Sequence, residues 1–334
     1  MKTQLLMAAL LVGMCLSSCS KTDRTDRTNR TDREDRSATS DSTTKPADKP
    51  KKPTRPRFLT LDLGNEVKMK LTLIPAGKFM MGSKFSAAEV AEKYKRYSGR
   101  EEYYTGEHPG HEVTISRPFY MSIWEVTRPQ WTAVMRGAPP WKGKKCDRPN
   151  AGNIANHVSW DDANKFCEAL SGKTLRKVAL PTEAQWEYAC RANRNTEYCF
   201  GDSEAKLGVY AWFAENALGI NEPYPHPAGR KTSNRWGLYD MHGNAWEWCR
   251  DWYDEKFYAK AGAGGKSVDP ENTTQSTQRV LRGGEWGLYP DSCRAAYRFK
   301  DNPSIRKCSY GFRVVVPIGA DGSPTTRPGG VPEK

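Results

Sequence analysis

Apolar residues fall along this chain in three regimes, and each predicts a different kind of structure. After Lys2, residues 5 to 16 form an apolar run broken only by Gly13. From Ser20 to Arg57 almost nothing is apolar. From Phe58 onward short apolar clusters alternate with polar, Gly- and Pro-rich connections. Within that third regime, spacings of three and four predict helices. Thr127-x-x-Gln130 forms a capping-box pattern followed by Trp131, Val134 and Met135. Ser159 or Asp161 caps a second helix with Ala163, Phe166, Cys167 and Leu170 on one face. Thr182-x-x-Gln185, after Pro181, caps a third with Trp186, Ala189 and Cys190 inward. Strands are expected at 68–74, 111–116, 119–123, 279–281 and 312–316. Short helices among short strands and long connections give an α+β class of low regularity.

The first regime is too short to span a bilayer, which takes roughly 20 apolar residues, but it suits the core of a secretion signal. It ends at Leu16-Ser17-Ser18-Cys19, which resembles the cleavage and lipidation site of bacterial lipoproteins: small residues admit a peptidase, and the exposed thiol accepts a lipid. Residues 1–18 are therefore read as a signal peptide and Cys19 as the lipidated residue. The expected location is the cell envelope, outer membrane or cell surface, with the membrane reached through the lipid and not through a span.

Residues 19–57 are read as a disordered tether. Five tripeptides from Thr22 to Arg36 (TDR, TDR, TNR, TDR, EDR) lead into a Ser, Thr, Lys and Pro-rich stretch. So little apolar surface cannot offset a chain entropy of about 1–2 kcal/mol per residue. Twelve basic residues against seven acidic ones leave the tether at +5 of the formal +13. That charge is suited to anionic head groups or cell-surface polymers. No basic motif interleaved with aromatics occurs, so nucleic acid is not an expected partner. Residues 58–318 make one globular domain, long enough to bury about three quarters of its unfolded surface, and 319–334 a flexible tail.

The globular region carries a family resemblance. Pro75-Ala76-Gly77-Lys78-Phe79, Glu125-Val126-Thr127, Val158-Ser159-Trp160-Asp161-Asp162-Ala163, Leu180-Pro181-Thr182-Glu183 through Tyr188, Trp236-Gly237-Leu238-Tyr239 through Trp248, Arg282-Gly283-Gly284-Glu285-Trp286 and Gly311-Phe312-Arg313 follow in order. Together they resemble the formylglycine-generating enzyme, or sulfatase-modifying factor, family. The resemblance implies a C-type-lectin-like fold. It also implies, in active members, copper-dependent oxidation of a cysteine within Cys-x-Pro-x-Arg; other members use the scaffold for binding or regulation.

For metals, the resemblance implies calcium in the Asp240–Glu247 loop, held by Asp240, Gly243, Ala245 and Glu247. Oxygen donors of this kind, side-chain and carbonyl, suit a hard cation. No second calcium loop is matched between Tyr210 and Pro227. His108 and His111 flank Pro109-Gly110 in a loop and are read as ordinary loop histidines. No Gly-x-Ser-x-Gly and no phosphate-cradling loop occurs.

Nine cysteines occur; without Cys15 and Cys19, seven remain: Cys146, Cys167, Cys190, Cys199, Cys249, Cys293 and Cys308. An odd number leaves at least one unpaired. The resemblance implies a Cys190–Cys293 disulfide. It also implies a copper-binding pair of cysteines five residues apart after a Gly-Gly-Ser-aromatic turn. Here the turn reads Gly283-Gly284-Glu285-Trp286; counting forward from it puts Leu288 at the first thiol position and Cys293 at the second. Counting back from Arg294-Ala295-Ala296-Tyr297-Arg298 requires a three-residue gap, and then Cys293 matches neither, so both alignments lose the pair. Cys293 is thus the remaining catalytic candidate. Copper is not expected, because a single thiolate holds a soft cuprous ion poorly. Two readings follow. One is a catalytically silent binding or assembly module whose partner is an exported sulfatase, another peptide or a cell-surface glycan. The alternative is an active oxidase forming formylglycine in exported sulfatases.

Overall fold

A computed structural model describes residues 56–147, 152–265, 267–319 and 321–326. The signal peptide, Cys19 and the tether up to Arg55 lie outside the described residues. Strands, in chain order, are β1 (Phe58–Asp62), β2 (Lys68–Ile74), β3 (Gly77–Met81), β4 (His111–Ile115), β5 (Phe119–Ser122), β6 (Trp246–Trp252), β7 (Ser267–Val268), β8 (Arg279–Arg282), β9 (Phe299–Asp301), β10 (Tyr310–Gly311) and β11 (Val315–Pro317). They form three small sheets, ordered β1-β2-β5-β11, β10-β6-β8-β9 and β3-β4-β7. Most pairs are antiparallel; β10 with β6 and β4 with β7 are parallel. The architecture is α+β with little regular structure.

Four helices carry most of the helical packing: α1 (Ala87–Lys93), α2 (Arg128–Val134), α3 (Trp160–Thr174) and α4 (Glu183–Arg191). Each opens with a complete capping box, formed by Ser86/Glu89, Thr127/Gln130, Ser159/Asp162 and Thr182/Gln185. The side-chain oxygen satisfies an amide that the first turn leaves free, which fixes the start of each helix to a residue. Ser159, not Asp161, caps α3. The inward stripes are those the spacing predicts: Ala163, Phe166, Cys167 and Leu170 on α3, and Trp186, Ala189 and Cys190 on α4. Helix α1 was not anticipated, although Ser86-x-x-Glu89 is the same signal. Its residues Val90 and Ala91 reach the core.

The five expected strands all occur near their expected bounds except the last. The segment 312–316 begins as a strand only at Val315, because Arg313 turns inward to Glu247 and interrupts the ladder. Strand β6 begins in the last two residues of the segment read as a metal-binding loop, and Trp246, Glu247, Trp248 and Cys249 are buried along it. Residues 321–326, expected in the flexible tail, fold back on the domain. Thr325 N–H donates to the Pro317 carbonyl (2.8 Å), and Lys177 N–H to that of Thr325 (2.8 Å).

A small-sheet fold with long loops leaves many backbone carbonyls unpaired by ladders, and buried arginines supply the donors. Arg282, fully buried, donates to the carbonyls of Ala295 (2.8 Å), Ala296 (2.9 Å) and Tyr297 (2.5 Å) while pairing with Glu187 at 2.5 Å. Arg298 grips Glu183 with two bonds (2.7 and 2.8 Å) and donates to Gly106 O (2.8 Å). Arg294 does the same with Glu107 (2.5 and 2.8 Å) and Asp291 O (2.9 Å). A forked guanidinium suits this work because its five donors reach a carboxylate and several carbonyls at once.

Cys146 and Cys308 form a disulfide; Cys167, Cys190, Cys199, Cys249 and Cys293 are free and buried. The expected Cys190–Cys293 bridge is absent: both thiols are free, and the imidazole of His242 contacts both residues. Its Nε2 lies 3.6 Å from Cys190 Sγ and its Nδ1 is 2.8 Å from the Cys293 carbonyl. Nε2 also accepts from the Cys199 N–H (3.0 Å), so Nδ1 carries the proton and the ring is neutral. Burial holds its pKa down at about 4.

Candidate functional site

Strand β5 runs out through Ile123 and Trp124 to Glu125, immediately before the cap of α2, and so delivers Glu125 to the domain interior. The Trp236–Trp248 segment delivers Asp240 and Glu247 to the same place. All three carboxylates are buried. Asp240 and Asn244 adopt left-handed backbone (φ 60° and 69°), which short polar side chains tolerate and which coils the loop tightly. Gly243 is required: a Cβ there would stand 2.2 Å from the Trp212 carbonyl oxygen. Ala245 is buried next to it, and its N–H donates to the Gly243 carbonyl (2.9 Å).

The three acids differ in partners. Both oxygens of Glu247 accept from Arg313 (2.6 Å each), and Oε2 also accepts from Trp186 Nε1 (2.7 Å). Asp240 Oδ2 accepts from Gly229 N–H (2.7 Å), and Glu125 Oε1 from Asn244 Nδ2 (2.9 Å). The remaining oxygens, Asp240 Oδ1 and Glu125 Oε2, are buried without any hydrogen-bond partner. Burial, then the negative charges of Asp240 and Glu247, push the Glu125 carboxyl well above the usual range; burial likewise raises Asp240, to about 6. One guanidinium faces three acids, so the cluster is short of positive charge.

Those two orphan oxygens bear on the calcium expectation: Asp240 and Glu125 each keep one oxygen free, but both Glu247 oxygens are taken by Arg313, and the three carboxylates do not converge as a group on one ion's position. A hard cation takes oxygen ligands, and buried carboxylate oxygens are costly unless protonated or paired. Asp240 and Glu247 are both buried, and the charge of Glu247 acts on Asp240. Glu125 is a further candidate ligand that the sequence reading did not single out. The signal available was a glutamate standing before a helix cap, amid apolar residues.

The Gly283-Gly284-Glu285-Trp286 turn follows β8. Gly284 (φ 76°) lies directly over Cys293; an added Cβ would approach its Sγ to 2.8 Å. Cys293 ends a short 3-10 turn (Pro290–Cys293) and is fully buried, and burial pushes its thiol well above the ordinary range. Leu288, at the first thiol position of the resemblance, packs against the main core and is held by its backbone, N–H to Glu285 O (3.1 Å) and carbonyl to Ala214 N (2.8 Å). Trp286 N–H reaches the Asn244 carbonyl (3.3 Å), tying this turn to the carboxylate loop.

Beside the turn opens a cleft of about 780 Å³. Tyr97, Tyr289, Trp246, Tyr297, Phe299 and Tyr310 contribute to its walls, and Glu285 and Asp291 to its lining. His108 and His111 take no part. His111 Nδ1 is 3.1 Å from the Pro109 carbonyl and its ring packs edge-on to Tyr258.

Residues 64–318 match the model of the sulfatase-modifying factor enzyme 1-like domain. The chain belongs to this family. Across 303 residues it is 28% identical to the formylglycine-generating enzyme of Streptomyces coelicolor, covering 72% of this chain and 87% of that protein. It is also 28% identical over 265 residues to the serine/threonine-protein kinase pkn1 of Chlamydia caviae, covering 73% of this chain but only 37% of the kinase. A chaperone protein LppX of Paenibacillus barcinonensis is 27% identical over 61% of this chain and 81% of its own length. Among solved structures, PvdO from Pseudomonas aeruginosa superposes with a TM-score of 0.60 at 25% identity, over 78% of this chain and 99% of that one. Treponema denticola variable protein 1 does so at 0.63 and 24%, with the same coverage. The sulfatase-modifying-factor-like fold is therefore common to proteins bearing quite different names.

Proposed function

We propose that this protein is an exported, lipid-anchored binding or assembly module: a sulfatase-modifying-factor domain carried on a tether from Cys19, with calcium in the carboxylate cluster and no copper–thiolate oxidase centre. The observation that carries the reading is Leu288. It occupies the place of one of two thiols, and a hydrocarbon side chain cannot ligate a metal. Its neighbour in the pattern, Cys293, sits fully buried, with its thiol held protonated by burial and by the nearby Asp291 and Glu285. A cuprous centre needs the opposite: two accessible, easily ionised sulfurs. Calcium, when bound, supplies charge balance and cross-links the loop to strand β5. Asp240 and Glu125 would hold it by their unpartnered oxygens, together with the Gly243 and Ala245 carbonyls, while Arg313 keeps Glu247 beside it. The aromatic cleft beside the turn is then the binding surface, since it keeps the concave shape and mixed apolar and polar lining of a ligand site.

Incubating the purified full chain with copper, oxygen and a Cys-x-Pro-x-Arg peptide, and following the peptide mass, tests the reading. The expected outcome is unmodified peptide. Copper-dependent conversion of the cysteine, lost in Cys293→Ser, would replace the reading by the oxidase alternative.

A further inference from the structure

The family turn carries serine where this chain has Glu285, and that residue gives the cleft a chemistry of its own. Oε2 of Glu285 accepts from the Gly287 N–H (2.9 Å). Oε1 has no hydrogen-bond partner among the described residues and opens into the cleft. Every cation lining the cleft is already engaged elsewhere. Arg298 is held by Glu183, Lys307 by Asp301 (2.8 Å), and Lys300 lies over the Tyr253 ring (4.2 Å). The other charged or titratable groups around Glu285 are Tyr310, which donates to Asp301 (2.7 Å), the buried thiol of Cys293, and Asp291, which is bonded by Tyr104 (3.0 Å) and Ser98 (3.3 Å). None of them offers a counter-ion. A recessed carboxylate with a free oxygen, in a cleft that Tyr310, Tyr297, Phe299 and Trp246 also line, is the arrangement that takes a cation, because the acid supplies charge and the aromatic rings supply quadrupole attraction.

We propose that the cleft receives the cationic end of a basic side chain of a partner polypeptide, an ammonium or guanidinium, with Glu285 as its counter-ion. The inference rests on the binding-module reading and names the class of partner that module takes. Arginine fits best, since its planar fork can bond Oε1 while stacking on the aromatic walls. Burial holds the Glu285 carboxyl up at about 7 in the free protein. A cation must then displace a proton below that pH, whereas Lys and Arg stay charged throughout. Binding therefore strengthens as pH rises through 7, by about tenfold between pH 6 and pH 8.

Calorimetric titration of the full chain in detergent, with Nα-acetyl-arginine amide as probe and the uncharged Nα-acetyl-citrulline amide as its isostere, tests this. The arginine compound should bind at least tenfold more tightly at pH 8, lose about tenfold at pH 6, and release protons on binding. Glu285→Gln, which preserves shape, should remove both the preference and the pH dependence while leaving the near-ultraviolet spectrum unchanged. A free polyamine such as spermidine, run in parallel, separates sources: binding as tight as the arginine compound would replace the polypeptide partner by a small cation. Equal binding of arginine and citrulline compounds, or an undiminished preference in Glu285→Gln, would overturn the proposal. Peptide oxidation in the copper experiment would remove the binding-module reading without altering either of these outcomes, so the two failures are distinguishable.

Discussion

At the scale of single residues the decisive features are the charges that the interior keeps. Asp240 and Glu247 were legible as a calcium pair only through the resemblance; two acids seven apart do not by themselves reveal that both are buried. Glu125 was illegible because its contact with them spans more than a hundred residues of sequence. Arg313 was quoted in a motif, yet nothing in the sequence states that it grips both oxygens of Glu247. That grip makes Glu247 a poor probe of calcium, since its removal strands a buried guanidinium at a cost of roughly 3–5 kcal/mol. Glu125→Gln is the better probe: it keeps an acceptor for Asn244 and removes only the ionisable oxygen. In wild-type protein, calcium at a hundredfold excess over Kd should stabilise the fold by about 2.7 kcal/mol. Glu125→Gln should lose most of that response. The pH dependence follows with a definite sign. An acid raised by burial holds its proton longer in the folded state, so stability falls as pH rises from near 4 through the raised folded value. Chelated wild-type protein should lose stability relative to Glu125→Gln as pH rises above the ordinary glutamate range, and calcium should abolish the difference. Thermal melts at these pH values, with and without calcium, measure both effects; no calcium shift in chelated wild-type protein would rule the site out.

At the scale of elements, local chemistry was readable wherever it was self-contained. Three helices were legible from a cap, its reciprocal acid or amide three residues on, and an apolar stripe; all of that information lies within a dozen residues. Helix α1 carries the same signal, but it is short and lies in polar sequence, so no stripe drew attention to Ser86 and Glu89. Strand β6 was hidden for a different reason. It is buried on both faces, so its side chains do not alternate between apolar and polar, and a buried Glu247 near its start imitates a loop. The cap of α1 offers a direct check. Ser86→Ala removes the hydroxyl that accepts from the Glu89 N–H and donates to the Glu89 carboxylate, while the backbone bond from Ser86 N–H to that carboxylate stays, and should cost about 1 kcal/mol. Because Val90 packs in the core, the loss should register in the midpoint of urea unfolding; an unchanged midpoint would mean that α1 opens before the rest of the domain.

At the scale of the whole molecule, fold class was legible from the ordered motifs and the scarcity of long periodic segments, and the family model over residues 64–318 agrees. The disulfide was not legible: Cys146 and Cys308 lie 162 residues apart, and only the folded chain brings their Cα atoms to 5.5 Å. The proposed anchoring belongs to this scale as well, and it rests on the sequence alone, on Leu16-Ser17-Ser18-Cys19 after the apolar run. Cys19→Ser should abolish lipid labelling and move the protein from the membrane fraction to the soluble one, with the folded domain's melting temperature unchanged. Persistent labelling or unaltered fractionation in that variant would place the anchor elsewhere.

The buried arginines bear on how such a domain can change over time. Arg282, Arg294 and Arg298 hold the loops around the cleft by their carbonyl oxygens, which every amino acid possesses. The bracing is thus blind to which side chains those loops display. Tyr97, Tyr289 or Glu285 can be exchanged without asking the scaffold to refold, so the recognition surface and the framework are free to evolve at different speeds. A protein built this way is a ready starting point for combinatorial libraries: randomising the outward positions of the cleft while retaining the three arginines and their glutamates should yield folded variants with new ligands.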